Sequence, residues 1–177
     1  MQFETLLQEF TDAVESGVGP RLADLFCADG VYHDGFYGPF QGHAAIAEML
    51  EHHFHGNAKD FTWRMAEPVC DGTTGYARYV FSYTSTLPEA AGERVVFEGI
   101  SRFALEDGKI KDYWEIFDSG IGLSQLGFEA GRLHKVLRVR VRRPWLSGSV
   151  ARPADPTRGG SRCLIGDTSP GKVSIIG

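Results

Sequence analysis

The sequence lacks most features that assign a chain to a specialised class of protein. Its three cysteines, Cys27, Cys70 and Cys163, lie far apart and form no CxxC pair, which argues against a disulfide framework and favours reduced thiols. No apolar run approaches the roughly 20 residues that span a bilayer. The chain starts with an acidic, amphipathic segment rather than a signal-peptide pattern. We therefore expect a cytoplasmic protein with no membrane partner.

Excess positive charge and metal-binding motifs are also missing. The net charge is -5, which gives no electrostatic reason to expect a nucleic-acid partner. The basic segment 134–143 is short, and we interpret it as the solvated face of a helix. The histidine-rich segment 52–55 has neither HExxH order nor a distant third ligand, so we predict no metal site and no cofactor.

The remaining patterns predict one α+β domain. Helical spacing of apolar residues is found in segment 2–16, in a short helix that starts at Pro20 and ends near Ala28 to Gly30, and in a third helix from His43. From Phe61 onward, four strand-like segments alternate with short turn sequences, which is typical of an antiparallel meander.

Three N-terminal helices on a curved antiparallel sheet, followed by a C-terminal helix, form a cone-shaped α+β roll. We expect this domain to span 1–143, with its core in 2–130. Residues 144–177 are rich in glycine, proline, serine and arginine, so we predict a disordered or loosely packed tail.

The stretch from Glu106 to Asp118 carries the first candidate site. An Asp-Gly turn feeds a strand in which Tyr113, Glu115 and Phe117 share one face. Pairing through that turn places Ser101 opposite Glu115, and the preceding hairpin then places Arg78 beside Ser101. We predict a transverse row of Arg78, Ser101 and Glu115 on the inner face of the sheet. A shift of one residue in either hairpin would destroy this row.

The same alternation predicts an aromatic outer face. Because a monomer rarely exposes a large contiguous apolar surface, we predict a homodimer packed sheet to sheet. The alternative is that the C-terminal segment covers this face within the monomer. The predicted interface residues are Tyr79, Phe81, Tyr83 and Trp114.

Three segments together resemble the SnoaL-like and ketosteroid-isomerase-like branch of the nuclear-transport-factor-two-like superfamily. They are FTDAVESGVGPRLADLFCADGVYHD, FQGHAAI, and FALEDGKIKDYWEIFD followed by a glycine. The resemblance covers residues 2 to about 130 and implies the cone-shaped fold. It leaves function open, since this superfamily includes isomerases, cyclases, dehydratases, epoxide hydrolases and binding domains.

Similarity to ketosteroid isomerases places Asp34 at the position of their general base. In those enzymes the aspartate base works with an oxyanion hole that a tyrosine and a protonated aspartate form. Those two positions correspond here to Phe10 and Ser101, so the usual donors are missing.

Similarity to limonene-epoxide-hydrolase-like proteins instead places Tyr32 to Asp34 where that family holds its attacking water. Arg78 and Glu115 match an arginine and one of two aspartates, and the second carboxylate would fall on Val80. A base could then be present without its acid partner, which argues against an epoxide hydrolase function.

Each candidate also has a structural interpretation. Asp34 could cap a turn, Glu115 and Arg78 could form a structural ion pair, and His53 could be a packed histidine on a helix. We predict Asp34, Glu115 and Arg78 as catalytic residues. The predicted substrate-binding residues, which could also be plain core, are Tyr32, His53, Trp63, Phe97, Ser101, Phe103, Tyr113 and Phe117.

Two main functions follow from this set. The first is cofactor-independent proton transfer on a small apolar carbonyl or polyketide-like metabolite by an isomerase or lyase. The second is a non-catalytic ligand-binding or dimerising domain, and an epoxide hydrolase is a third possibility. Whether the protein is an enzyme is not decided by the sequence.

Overall fold

The computed structural model describes residues 2–141. The predicted tail at 144–177 and Cys163 lie outside these residues. The helices are α1 (Phe3–Ser16), α2 (Gly19–Ala23), α3 (His43–Glu48, continued by a π-helical segment over Met49–Phe54), α4 (Ser119–Gln125) and α5 (Ala130–Val141). The strands are β1 (Phe26–Asp34), β2 (Gly38–Gln41), β3 (Ala58–Cys70), β4 (Thr74–Ser85), β5 (Arg94–Glu106) and β6 (Lys109–Phe117).

The six strands form one sheet in the order β2-β1-β6-β5-β4-β3. The predicted antiparallel meander is confirmed for β3 to β6. β1 joins it by pairing in parallel with β6, while β2 pairs antiparallel with β1 at the edge. The α+β roll with its cone-shaped sheet is thus confirmed.

The core lies between the helices and the inner face of the sheet. The apolar stripe of α1 is buried there, and the helix ends at Gly17, whose φ of 69° is left-handed and suits glycine. Phe10 is fully buried, with its ring centroid 6.2 Å from that of Tyr32 and 4.9 Å from that of Tyr113. The helical layer and the sheet are therefore joined by aromatic packing.

The second helix is shorter than predicted. It ends at Ala23, and the segment expected to finish it instead opens β1 at Phe26. Phe26 is fully buried and pairs with Ile110 of β6. Pairing with a distant strand thus overrides the local helical spacing.

The predicted C-terminal helix is confirmed but is divided in two. Asp118 caps α4, since its Oδ1 accepts hydrogen bonds from the N–H groups of Gly120 at 2.8 Å and Ile121 at 3.3 Å. Gly127, with a φ of 70°, separates α4 from α5. Across residues 2–141, no helix is long and apolar enough to cross a membrane.

Candidate functional site

Glu115 lies on the inner face of β6, as the sequence predicts. Ser101 pairs directly with it, which confirms the predicted register of β5 and β6. The Ser101 and Tyr113 hydroxyl oxygens are 3.0 Å apart, and the Tyr113 hydroxyl donates to Glu115 Oε2 at 3.3 Å. A short hydrogen-bonded chain thus leads from the core to the glutamate.

The predicted place of Arg78 in this row is wrong. Ala77, not Arg78, pairs with Ser101, so every side chain of β4 lies on the face opposite to the predicted one. Arg78 is on the outer face, with 51% of its side chain exposed, and its guanidinium lies 3.4 Å from Glu67 and 3.7 Å from Glu98. It is therefore a surface ion-pair residue that does not contact Glu115.

The same shift moves three predicted interface residues into the cone. Tyr79 and Phe81 are buried, and Tyr83 is partly buried and packs against this core, so none of them forms an outer aromatic face. The predicted position of Trp114 agrees with the structure. Trp114 lies on the outer face, with the Arg102 guanidinium 5.5 Å from its ring centroid.

Tyr79 takes the place expected for the arginine. Its ring lies across Gly99, where an added Cβ would be 2.5 Å from the hydroxyl oxygen. Burial, and then the negative charge of Glu115, raise the pKa of the Tyr79 hydroxyl far above its ordinary value. The same two causes raise the pKa values of Tyr32 and Tyr113. Three neutral tyrosines therefore surround the inner side of Glu115.

The hydroxyl groups of this inner cluster interact with one another and with Glu115. A hydrogen bond with Tyr113 contributes to the pKa of Tyr32, and a hydrogen bond with Glu115 contributes to the pKa of Tyr79. The tyrosines therefore form a polar network on the inner side of Glu115.

Asp34 reaches the same region from β1. The parallel register pairs Tyr32 with Tyr113 and His33 with Trp114, so Asp34 follows on the inner face next to the position of Glu115. Asp34 is 7% exposed, and its Oδ1 accepts the N–H groups of Phe36 and Tyr37, each at 2.7 Å. The turn-capping interpretation is therefore present in the structure, and it coexists with a position beside Glu115.

The two carboxylates line one small cavity of about 70 Å³. That is the room of two or three liquid water molecules at about 30 Å³ each. Leu123 and Leu126 border it from α4 and its C-terminal end, and Leu87 borders it from the connection between β4 and β5. Its aromatic lining, which we call the aromatic wall, consists of Phe36, Tyr37, His53, Phe54, Phe61, Phe81 and Tyr83.

The π-helical segment Met49–Phe54 supplies two of these rings, His53 and Phe54. The His53 ring centroid is 4.6 Å from that of Tyr37. A π-turn shifts the positions of side chains relative to an α-helix, and such turns are frequent at functional sites. Helical periodicity in the sequence could not reveal this change.

The structure places the predicted pocket residues on the inner side of the sheet in three groups. The first group, Asp34, Glu115 and His53, lines the cavity. Phe97 stacks on Phe117 with centroids 4.7 Å apart, beside the aromatic wall. The others are buried in the core behind Glu115: Tyr32, Trp63, Ser101, Phe103 and Tyr113. Five aromatic residues of the lining were missed: Phe36, Phe54, Phe61, Phe81 and Tyr83. Phe81 and Tyr83 were missed because the predicted face of β4 was wrong.

The outer face of the sheet carries a second group of charged residues. His33 Nε2 lies 2.9 Å from Asp112 Oδ2, on the face opposite to Asp34, and the Arg102 guanidinium lies 3.7 Å from the other oxygen of Asp112. Among residues 2–141, no group of three histidine, cysteine, aspartate or glutamate side chains is arranged to hold a metal ion.

The sequence of this chain matches the SnoaL-like domain family over residues 7–113. The chain therefore belongs to this family, and it is a SnoaL-like protein of the nuclear-transport-factor-two-like superfamily. No curated protein matches this chain in sequence.

Solved structures agree with this assignment at the level of the fold. TsrD from Streptomyces laurentii is 24% identical, with a TM-score of 0.59, and the match covers 71% of this chain and 94% of TsrD. IdmH from Streptomyces antibioticus, a putative polyketide cyclase, is 21% identical with a TM-score of 0.61, covering 72% and 100%. An LEH-like epoxide hydrolase from M. tuberculosis is 17% identical with a TM-score of 0.56, covering 78% and 95%.

Proposed function

We propose that the protein is a cofactor-independent enzyme that transfers a proton on a small, largely apolar carbonyl or polyketide-like metabolite, in isomerisation, cyclisation or dehydration. One observation carries this proposal: Asp34 and Glu115 reach the same apolar cavity from neighbouring strands. Two carboxylates at one site can act as base and acid. The fold similarity to a polyketide cyclase is compatible with it.

The roles follow from the surroundings of each side chain. Asp34 is the base, oriented by the N–H groups of Phe36 and Tyr37. Asp34 takes the proton from one atom of the substrate and returns it to another, and Glu115, whose carboxylate accepts a hydrogen bond from the Tyr113 hydroxyl, forms the polar end of the site. Arg78, predicted as a catalytic residue, takes no part in this proposal because it lies on the outer face. A metabolite larger than the cavity requires Leu87, Leu123 and Leu126 to move apart.

Proton transfer can be measured without knowing the natural substrate. A panel of small ketones in D2O is followed by NMR for deuterium incorporation next to the carbonyl group. Asp34→Asn should lower the exchange rate by about 10²–10⁴-fold, while ligand affinity stays similar because asparagine keeps an oxygen that can cap the turn. Asp12→Asn, on the exposed side of α1, is the matched control. Equal exchange rates in the Asp34 variant and the wild type would reject Asp34 as the base.

A non-catalytic ligand-binding pocket is the second candidate function. The two backbone hydrogen bonds of Asp34 favour it, since they give this side chain a structural role without any reaction. Ligand-dependent increases in melting temperature, with no product after long incubation, would support binding over catalysis.

The epoxide hydrolase alternative has less support. Arg78 and Val80 are on the outer face, and the inner positions beside them are Tyr79 and Phe81. Incorporation of labelled water into a diol would be its signature.

We also propose a homodimer through the outer face of the sheet, and a cytoplasmic location consistent with the free thiols of Cys27 and Cys70. The interface differs from the predicted one, because only Trp114 of the four named residues lies there. Its exposed apolar residues are Tyr76, Val80, Val96, Ile100 and Ile116. Such an area is more apolar than a solvated sheet face usually is.

A further inference from the structure

The proposed proton transfer needs a donor for the carbonyl oxygen, and the two positions implied by the family resemblance do not supply one. When a base removes a proton next to a carbonyl group, negative charge develops on the oxygen and has to be stabilised. Phe10 has no polar side-chain atom, and Ser101 is fully buried with its hydroxyl oxygen 3.0 Å from that of Tyr113. Neither Phe10 nor Ser101 lines the cavity. A different side chain must therefore reach the oxygen.

His53 lies where such a donor is needed. The π-helical turn over Met49–Phe54 places it in the lining of the cavity that Asp34 also lines. Its ring packs against two others, with centroids 4.6 Å from that of Tyr37 and 5.5 Å from that of Phe40. Tyr37 connects the two side chains, because its ring packs on His53 while its N–H donates to Asp34 Oδ1 at 2.7 Å. The hairpin of β1 and β2 thus positions a base and a histidine at one cavity.

The chemistry of the lining favours the histidine as the proton donor. The titratable groups that share the lining with His53 are Asp34, Tyr37, Tyr83 and Glu115. Burial raises the pKa of Tyr83 to about 12 and also raises the pKa of Tyr37, so both phenols release a proton less readily. Glu115 accepts a hydrogen bond from a tyrosine hydroxyl, as an ionised carboxylate does. Histidine is the side chain that exchanges a proton near neutral pH, as general acid catalysis requires.

We propose that His53 is a second catalytic residue, which protonates the carbonyl oxygen of the ligand while Asp34 acts on carbon. The Asp34 carboxylate takes a proton from the carbon next to the carbonyl group, the C–H electron pair forms a C=C bond, and the C=O π pair moves to oxygen. The His53 imidazolium gives its proton to that oxygen, which leaves a neutral enol, a protonated Asp34 and a neutral imidazole. The reverse steps return both protons, and delivery by Asp34 to a different carbon isomerises the ligand.

Deuterium exchange into small ketones tests this role, which rests on the proposed function. His53→Phe keeps a ring beside Tyr37 and Phe40 but cannot carry a proton, and should lower the exchange rate by about 10²–10⁴-fold. His52→Phe is the matched control, since His52 is exposed in the same helical turn and its replacement should leave the rate unchanged. Exchange at the wild-type rate in His53→Phe would reject the histidine alone, whereas a wild-type protein without exchange would reject the proposed function and this role together.

Two further measurements separate proton transfer from a structural role of the ring. The wild-type rate should fall at alkaline pH as the imidazolium loses its proton, and this alkaline limb should be absent in His53→Phe or, if that variant does not fold, in His53→Gln. In His53→Ala, added imidazole should raise the rate by at least about tenfold, whereas pyrrole, a ring of the same size that is neither acid nor base at this pH, should not. An alkaline limb that persists in the variant, or equal recovery with both rings, would overturn the proposal.

Discussion

Replacing Gly99 by alanine should destabilise the protein through a single added methyl group. Gly99 lies in β5 between Tyr79 of β4 and Phe117 of β6. An added Cβ would be 2.5 Å from the hydroxyl oxygen and Cζ of Tyr79, and 2.6 Å from the backbone oxygen of Ile116. Ordinary contact begins at 3.4 Å, so Tyr79 or the methyl group must move by about 0.9 Å.

Neither neighbour can move freely. Tyr79 is 1% exposed and its ring centroid is 5.4 Å from that of Trp63, while the Ile116 oxygen belongs to the backbone of β6. Overpacking of this kind costs about 1–3 kcal/mol. The lower flexibility of alanine in the unfolded chain returns about 0.4–1 kcal/mol. We therefore expect a net loss of about 1–2 kcal/mol in the free energy of unfolding.

Urea denaturation followed by tryptophan fluorescence measures this loss. Gly131→Ala adds the same methyl group in α5, where an added Cβ has no atom within 4 Å, and should stabilise by about 0.5–1 kcal/mol. In a double variant with Tyr79→Leu, the combined loss should be smaller than the sum of the single losses, because the clash with the ring is removed. A Gly99→Ala protein as stable as the wild type would refute the described packing of Tyr79.

Two further predictions concern the outer face and alkaline pH. Ile100→Asp should convert the proposed dimer into a monomer, as measured by sedimentation equilibrium. The control Val18→Asp, at an exposed apolar residue between α1 and α2, should leave the mass unchanged. An unchanged mass for Ile100→Asp would contradict the proposed interface. Burial raises the pKa of Tyr83 from 10.0 to about 12. The folded protein thus keeps a proton that the unfolded chain loses above pH 10.0, so stability contributed by Tyr83 is present below that pH and falls as pH rises towards 12. Tyr83→Phe should show a smaller alkaline loss in urea titrations, and an identical loss would show that Tyr83 is not responsible.

A short turn sets the start of the pairing between β5 and β6. Asp107 and Gly108 have φ values of 50° and 76°, as a two-residue hairpin turn requires. Unbroken pairing from this turn, with Glu106 opposite Lys109, would place Ser101 opposite Trp114. A bulge between Ala104 and Leu105 shifts the register by one residue and places Ser101 opposite Glu115, so the predicted pair is right although the turn alone does not determine it. The position of Asp34 at the end of a strand also followed from the chain pattern, while its place beside Glu115 needed the parallel pairing of β1 and β6.

The hairpin between β4 and β5 could not be predicted in the same way. Its connection contains a short helical turn over Pro88–Ala90, closed by a hydrogen bond from the Ser85 N–H to the Glu93 oxygen at 2.9 Å. The sequence does not show how many residues of such a connection stay outside the strand pairing. One residue decides which face each side chain of β4 takes, and so Arg78 and Tyr79 exchanged places.

The parallel pairing of β1 with β6 also bears on when the site forms. Tyr32 and Tyr113 are partners although about 80 residues separate them along the chain. A contact of such long range closes a large loop, and its entropic cost is offset only when the intervening meander is in place. We therefore expect β1 to join the sheet late in folding, so that Asp34 meets Glu115 only in the complete domain. Local opening of β1 and the edge strand β2 would then separate the two carboxylates while leaving the meander intact.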